Sequence, residues 1–411
     1  MMKKLLAVSS IILTTLLTSC TGTDTSEATV TLTFWTTTAG EETAFFQQRI
    51  NAFQLRYPNI KVMMSQRNFP FATNEFKTSI LGDQNVDVFR ADNSWIAEYA
   101  DLGIVYPLDS LASEAELSGF VQSAVQATSY DGHVYGFPSV IEAPALLYNK
   151  KMLQEAGFSH PPATMDELLT IAKAVTGQGK YGIFVTEDSY FALPYLWAFG
   201  GGTVTDDREI RIASKESQQA FAFMRSLVTE GVTQPYPNYV DWYAKMLNDF
   251  KDGHVAMIIN GPWELHNILK GKAFSDPANI GIAPVPKGPG GQGSPIGGHS
   301  LVINKYSRHP KESYELIRFL TSSETQILQS GIFKTIPTQS SAYEDAQLAS
   351  DSLIQGFKAQ LEVAKPLPKI PEASKLFRDF TPQVNGILTG RDTIPDAVHL
   401  LETAWQALLH K

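Results

Sequence analysis

Val30-Thr31-Leu32-Thr33-Phe34 places Val30, Leu32 and Phe34 in alternation with threonine, the period of a strand with one buried face. Immediately downstream, Phe46, Ile50, Phe53 and Tyr57 recur at helical spacing until Pro58 stops the run, and the apolar stretch Ile60 to Met64 follows at once. Strand, helix and strand within about 35 residues form a βαβ unit. Parallel strands need such a crossover, so this segment argues for an α/β fold built on a mainly parallel sheet.

Outward from that unit the same style continues. Val86 to Phe89 is a short buried-strand candidate, and Tyr130-Asp131-Gly132-His133-Val134-Tyr135 carries the Asp-Gly signal of a tight hairpin. Thr164 with Glu167 three residues on predicts a capping box ahead of Leu168, Leu169, Ala172 and Val175. Phe221, Met224, Leu227 and Val228 mark another amphipathic helix. Val255 to Ile259 reads as a continuous apolar strand leading to Gly261-Pro262, with proline fit for a first helical position. Leu301 to Ile303 is a further strand candidate, Tyr314, Ile317 and Leu320 line a helix, and Val398, Leu401, Trp405 and Leu408 share a face of the last one. The sharpest break in composition is Pro284 to Gly298, with four Pro and six Gly in fifteen residues, which predicts a loop or a crossover between lobes.

The chain has 411 residues, 33 Lys plus Arg against 42 Asp plus Glu, a net charge of -9, 43% hydrophobic residues and one cysteine. That length suggests two or three domains, and the composition is that of a folded protein. The acidic balance lacks the basic excess that attracts phosphate backbones, so nucleic acid is not an expected partner. One cysteine makes neither an internal disulfide nor a cysteine-based zinc site. Its position is informative: Met1-Met2-Lys3-Lys4 is a basic start, Leu5 to Leu17 an apolar run too short to span a bilayer, and Leu17-Thr18-Ser19-Cys20 resembles a bacterial lipobox. Residues 1–19 are therefore expected to be a signal peptide, Cys20 a lipidation point, and residues 20–29 a lipidated tether rich in Thr, Ser, Gly, Asp and Glu. The alternative for Cys20 is a buried free thiol.

Local signatures of catalysis are sparse. The eight histidines form no His-x-x-x-His pair, Gly-x-Ser-x-Gly is missing, and Gly177-Gln178-Gly179-Lys180 is too short for a phosphate loop and reads as a surface turn. No metal and no cofactor is expected. A glycosidase, which needs only two carboxylates, stays open as the alternative, using two of Glu142, Asp92 and Glu41.

Several segments taken together resemble the extracytoplasmic sugar-binding lipoproteins of ABC transporters, solute-binding protein family 1, and most closely their maltodextrin- and trehalose/maltose-binding branch. They are the Phe34-Trp35 strand end, Val86-Asp87-Val88-Phe89, Val134-Tyr135-Gly136-Phe137-Pro138 through Glu142 to Leu147-Tyr148-Asn149-Lys150, and Phe250-x-x-Gly253-x-x-Ala256-Met257 through Asn260-Gly261-Pro262-Trp263. The resemblance implies a two-lobed type II periplasmic-binding fold, each lobe a mainly parallel sheet flanked by helices, joined by a multi-crossing hinge. The implied crossings lie near Val140, Gly297-Gly298 and Glu344. They give an N-terminal lobe of residues 30–140 plus 298–343 and a C-terminal lobe of residues 141–297 plus 344–411. It further implies a monomer, not an enzyme, held outside the cell membrane by its lipid. This monomer would clamp a di- or oligosaccharide, an α-glucoside such as maltose, maltodextrin or trehalose, and deliver it to the permease subunits.

The same resemblance nominates site residues. Glu142 matches the family's acidic sugar ligand, against a solvated charge. Asp92 matches the trehalose/maltose branch, against a helix N-cap ahead of Trp95. Trp263 resembles the main stacking tryptophan and Tyr190, after Glu187-Asp188, a stacking tyrosine; each could instead be a core residue. Glu41 or Glu42 would reach the sugar from the first lobe, unless one is an N-cap. Gly297, Gly298 and His299 sit at a presumed crossing, where glycine lets backbone N–H groups approach a ligand, or simply turns the chain. Phe377 aligns with a second stacking aromatic. Arg90 is a departure, because the maltodextrin binders carry an aromatic platform there; its loss favours a shorter sugar, with Arg90 bonding hydroxyls or pairing with Asp92.

Overall fold

Leu32 and Phe34 of strand β1 (Val30–Thr36) pack on one face of a sheet and Trp35 on the other, so the first strand already has helices on both sides. The structure, a computed structural model, describes residues 29–82, 86–235 and 241–410. The expected signal peptide, Cys20 and nearly all of the tether lie outside them. The helix Gly40–Arg56 buries Phe45, Phe46, Ile50 and Phe53 against Leu32 and Phe34 and ends just before Pro58. Each such side chain taken from water contributes roughly 1.5–3 kcal/mol, which fixes the crossover on that face. β2 (Ile60–Gln66) returns parallel to β1, and the helix Phe69–Leu81 crosses the opposite face, with Phe76 against Trp35 and Phe89, to β3 (Val88–Asp92), also parallel to β1. The predicted βαβ unit is therefore present.

Asp131 and Gly132 turn the small hairpin of β4 (Ser129–Tyr130) and β5 (His133–Val134). β6 (Gly136–Glu142) then pairs with β11 (Pro295–Ile303), which lies antiparallel to both β6 and β3 and is met at its start by β12 (Lys365–Pro366). This six-stranded sheet runs β12-β11-β3-β1-β2, with β6 on β11. A second, four-stranded sheet runs β10-β7-β9-β8, from β7 (Ala145–Asn149), β8 (Tyr181–Ile183), β9 (Val255–Asn260) and β10 (Ile280–Ala283). Helices flank both sheets, giving two α/β lobes.

Two expectations change. The second sheet is not mainly parallel: β8 and β9 pair in parallel, whereas β7 runs against both β9 and β10. The reason is the entry of the chain, since β7 begins three residues after β6 ends and no crossover helix precedes it. The Pro- and Gly-rich stretch is a crossover between lobes, one of its two expected readings, but it ends earlier than expected, because Pro295 to Gly298 already belong to β11. The strands change sheet between Glu142 and Ala145 and between Ala283 and Pro295; Val140 and Gly297-Gly298 thus lie within strands of the first sheet.

Candidate functional site

Arg90 and Asp92 project to the same side at the C-terminal end of β3, as residues two apart on a strand must. Register places His299 of β11 opposite Asp92 on one flank and opposite Val140 on the other, and Gly297 opposite Glu142. The first sheet thereby gathers Arg90, Asp92, Glu142 and His299 at one edge, where ligand loops emerge in open α/β sheets. His299 Nδ1 lies 3.7 Å from Glu142 Oε2, and Arg90 Nη2 lies 3.7 Å from Glu42 Oε1, with Arg90 Nη1 donating to Thr37 Oγ1 at 3.2 Å. Asp92 Oδ1 accepts from Ser94 N at 2.8 Å and Ser94 Oγ at 2.6 Å, capping the short turn Asn93–Trp95. Asn93 ties that turn back to β11 through Ser300.

The second lobe faces this patch with aromatic rings. Asp188 caps the helix Ser189–Phe199 by accepting from Tyr190 N, which aims the Tyr190 ring at β11: a methyl added to Gly297 would come within 2.8 Å of the Tyr190 hydroxyl. At the end of β9, the Trp263 ring lies against Gly261, and its Nε1 donates to the Tyr243 hydroxyl at 2.6 Å. Tyr243 in turn donates to Asn260 Oδ1 at 3.4 Å. Phe377, on the helix Ala373–Thr389, sits 6.3 Å from Tyr190 centroid to centroid.

Burial sets the electrostatics. Glu142 is 6% exposed, and desolvation pushes its carboxyl up to about 7, the nearby Arg90 charge pulling the other way. His299 is pushed down to about 3, by burial first and by the Arg90 charge second, so it is neutral at physiological pH. Tyr190 is held well above the usual tyrosine range by burial and by the carboxylates of Asp92, Glu142 and Asp188, which marks how closely the two lobes meet. In the second lobe Glu187 is also raised, to about 7, by burial, although Asn385 donates to it at 3.0 Å. Three polar nitrogens in the two walls are buried with no hydrogen-bond partner: Arg90 Nε, His299 Nδ1 and Asn260 Nδ2. An unpaired buried polar group costs about 1–3 kcal/mol, so each of the three is a place where a ligand hydroxyl would be favoured.

Of the residues singled out from sequence, the structure brings together Glu42, Arg90, Asp92, Glu142, Tyr190 and His299. Glu41 points elsewhere. Its carboxylate bonds His266 Nε2 at 2.6 Å and Lys270 Nζ at 2.9 Å across the gap between lobes. Ala39, not either glutamate, is the N-cap, and both acids lie in the first helical turn, where its dipole favours them. Arg90 pairs with Glu42, not Asp92. Gly298 neither turns the chain nor offers open space: its φ is +117°, and a Cβ there would lie 2.2 Å from the Val140 carbonyl. Trp263 and Phe377 are half-buried against the second-lobe core, partly fulfilling the packing alternative. Sequence reading missed Tyr243, which orients Trp263; the pair Trp242-Tyr243 at the start of an amphipathic helix is the only signal it left. It also missed a second bridge between lobes, Glu98, which takes Lys77 from its own lobe at 3.2 Å and Lys375 from the other at 3.1 Å. Among the described residues no cluster of three metal-ligating side chains occurs, and no helix is long and apolar enough to cross a membrane.

Comparison with known proteins follows the same lines. The GacH receptor of Streptomyces glaucescens, solved unliganded and in complex with acarbose, is 31% identical and superposes with a TM-score of 0.88 over 94% of this chain and 100% of that one. The maltose-bound MalE3 of T. maritima is 25% identical, with a TM-score of 0.82 over 92% of this chain and all of that one. A maltotriose-binding protein of Pyrococcus abyssi is 26% identical over 363 residues, 86% of this chain and 76% of its own length. The model of the bacterial extracellular solute-binding proteins matches residues 48–356, and the chain belongs to that family.

Proposed function

We propose that this protein is the solute-binding component of an ABC sugar importer, and that it clamps a di- or oligosaccharide of the α-glucoside class between its lobes. The three unpartnered nitrogens, Arg90 Nε, His299 Nδ1 and Asn260 Nδ2, carry this reading, because they come from both walls and a pyranose hydroxyl both donates and accepts. Around them stand the two things a sugar needs: carboxylates at Glu42, Asp92 and Glu142 for hydroxyls, and flat rings at Tyr190, Trp263 and Phe377 for C–H faces. Hydrogen bonds to charged groups contribute about 1.5–3 kcal/mol each, so the carboxylates set most of the specificity. Gly298 lets β11 pass close to β6, and His299 presents its ring beside Glu142. The names of relatives that bind maltose, maltotriose or acarbose support the sugar class.

The mechanism is binding without chemistry. Sugar contacts both walls at once, so it favours the closed arrangement over the open one by its differential affinity, and the closed lobes then dock on the permease. The protein acts as a monomer of two lobes, the first built on the six-stranded sheet and the second on the four-stranded one, with the strands passing between them at 142–145 and 283–295. Membership of an extracellular solute-binding family supports a position outside the cell; acylation at Cys20 would hold it at the membrane. The glycosidase alternative is set aside, since the family consists of binding proteins.

A thermal-shift series against maltose, maltotriose, trehalose and galactose-containing disaccharides tests the sugar class, because a ligand raises stability with the logarithm of its concentration over Kd. A rise with the α-glucosides and intact sugar recovered afterwards is the expected result; no shift with any of them would sink the reading. For the anchor, radiolabelled palmitate should enter the full chain expressed in bacteria and should not enter Cys20→Ser.

A further inference from the structure

Phe69 opens the helix Phe69–Leu81 and remains 44% exposed, although its ring rests on the wall of the cleft. The ring centroid lies 5.2 Å from that of Trp95, with the planes 31° apart, and 6.0 Å from the His299 ring. Trp95 is buried and stacks in turn on Phe89 at 6.1 Å, so Phe69 is supported by a fixed aromatic base and not by a loose loop. Through His299 it borders the polar patch directly, since His299 Nδ1 is 3.7 Å from Glu142. The helix Ala373–Thr389 of the second lobe packs on the Asn93–Trp95 turn, so the base that supports Phe69 is itself held between the lobes. An apolar ring left half in water beside such a patch has its complement in the C–H face of a pyranose. Arg90 gives β3 a charged side chain at this edge, and Phe69, from the helix before it, supplies a flat apolar face to the same lobe.

We infer that Phe69 determines the length of saccharide this protein prefers: it supports a further pyranose ring beyond those held by the Glu142 and Trp263 region, making the preferred ligand a trisaccharide or longer. The inference rests on the sugar-binding reading above. Isothermal titration of the full chain with maltose and with maltotriose tests it, in the wild type, Phe69→Ala, Phe69→Leu and Phe69→Trp. Leucine keeps the apolar contact with Trp95 while removing the flat face, so its fold is not at issue. The wild type should bind maltotriose about tenfold tighter than maltose. Alanine and leucine should both weaken maltotriose to within about threefold of maltose, leave maltose unchanged, and tryptophan should restore the gap. A wild type without preference for the longer sugar, or a preference that survives in Phe69→Leu, overturns the inference while leaving the sugar-binding reading intact. A wild type that binds neither sugar overturns both.

Discussion

The two walls of the cleft differ in kind. The first lobe, with the strand ends β3, β6 and β11, supplies charge and imidazole: Glu42, Arg90, Asp92, Glu142 and His299. The second supplies rings and amides: Tyr190, Tyr243, Trp263, Phe377 and Asn260. The difference follows from what each backbone can hold. The antiparallel ladders of β11 with β3 and β6 fix Arg90, Asp92, Glu142 and His299 to within a register position, and the helix Gly40–Arg56 adds Glu42. Helix starts and the end of β9 project longer aromatic bodies that need support from a core, as Trp263 and Phe377 have. A wall of acids and a wall of rings would read a sugar in two ways, hydroxyls from one side and ring faces from the other.

The division of labour can be broken at its strongest point first. Glu142→Gln should lower affinity for the best α-glucoside roughly 10- to 100-fold, the range of one charged hydrogen bond, measured by titration. On the aromatic side, Trp263→Ala should cost at least about tenfold in affinity. It should also lower the melting temperature, because the ring covers Gly261 and is bonded to Tyr243; Trp263→Phe keeps the apolar face and should retain most of the affinity. If Trp263→Ala loses stability but no affinity, the ring is packing alone and the contrast between walls fails.

A third test sets one buried acid from each lobe against the other. Glu142 and Glu187 both hold their protons up to about pH 7, whereas an unfolded glutamate releases its proton near 4.3. Between those values the native state binds more protons, so each acid makes stability fall as pH rises toward 7. His299 acts in the opposite sense, its neutral buried form losing stability as pH falls from about 6.5 toward 3. Single variants separate these contributions. The melting temperatures of Glu142→Gln and of Glu187→Gln should each gain on the wild type from pH 5 to pH 8, yet only Glu142→Gln should lose sugar. Equal loss of affinity in both would move the site into the second lobe. The smallest effect is expected at the Glu98–Lys375 bridge, where Lys375 is half-exposed and Lys77 stays to pair the buried Glu98, so the loss should be about 0–1 kcal/mol. Lys375→Met should weaken binding by less than about fivefold, and small-angle scattering of the unliganded protein should show a larger radius of gyration.

Much of this was legible from residues alone. The alternation in Val30 to Phe34 and the helical spacing to Tyr57 placed the opening βαβ unit, and Thr164 caps the helix Met165–Val175, although the predicted capping box is only half formed, the Glu167 carboxylate accepting from Ala163 N and not from Thr164 N. Local pattern failed where partners came from far along the chain. Nothing near Val140 or Gly298 announces that β6 and β11 are neighbours, and the glycines there answer to the Val140 carbonyl and the Tyr190 hydroxyl, contacts that only the folded chain brings near. For the same reason Glu41 and Glu42, adjacent in sequence and alike in chemistry, could not be told apart: one turns to His266 and Lys270, the other to Arg90 and Gln329. Phe69 lies three and seven residues before Ala72 and Phe76, on the face they define, but at the first position of the helix, where that face runs off the core onto Trp95.

β11 lies between β3 and β6 in the first sheet, yet it is written into the chain only at Pro295–Ile303. Until that segment has been synthesised, β3 and β6 have no common partner, and the hydrogen-bonding edges that face it stay open. Closing a loop of that length is slow compared with local helix formation. The first lobe therefore cannot complete itself on the ribosome until nearly three-quarters of the chain has emerged. The strand that shapes the cleft therefore also sets the earliest moment at which the charged wall can exist.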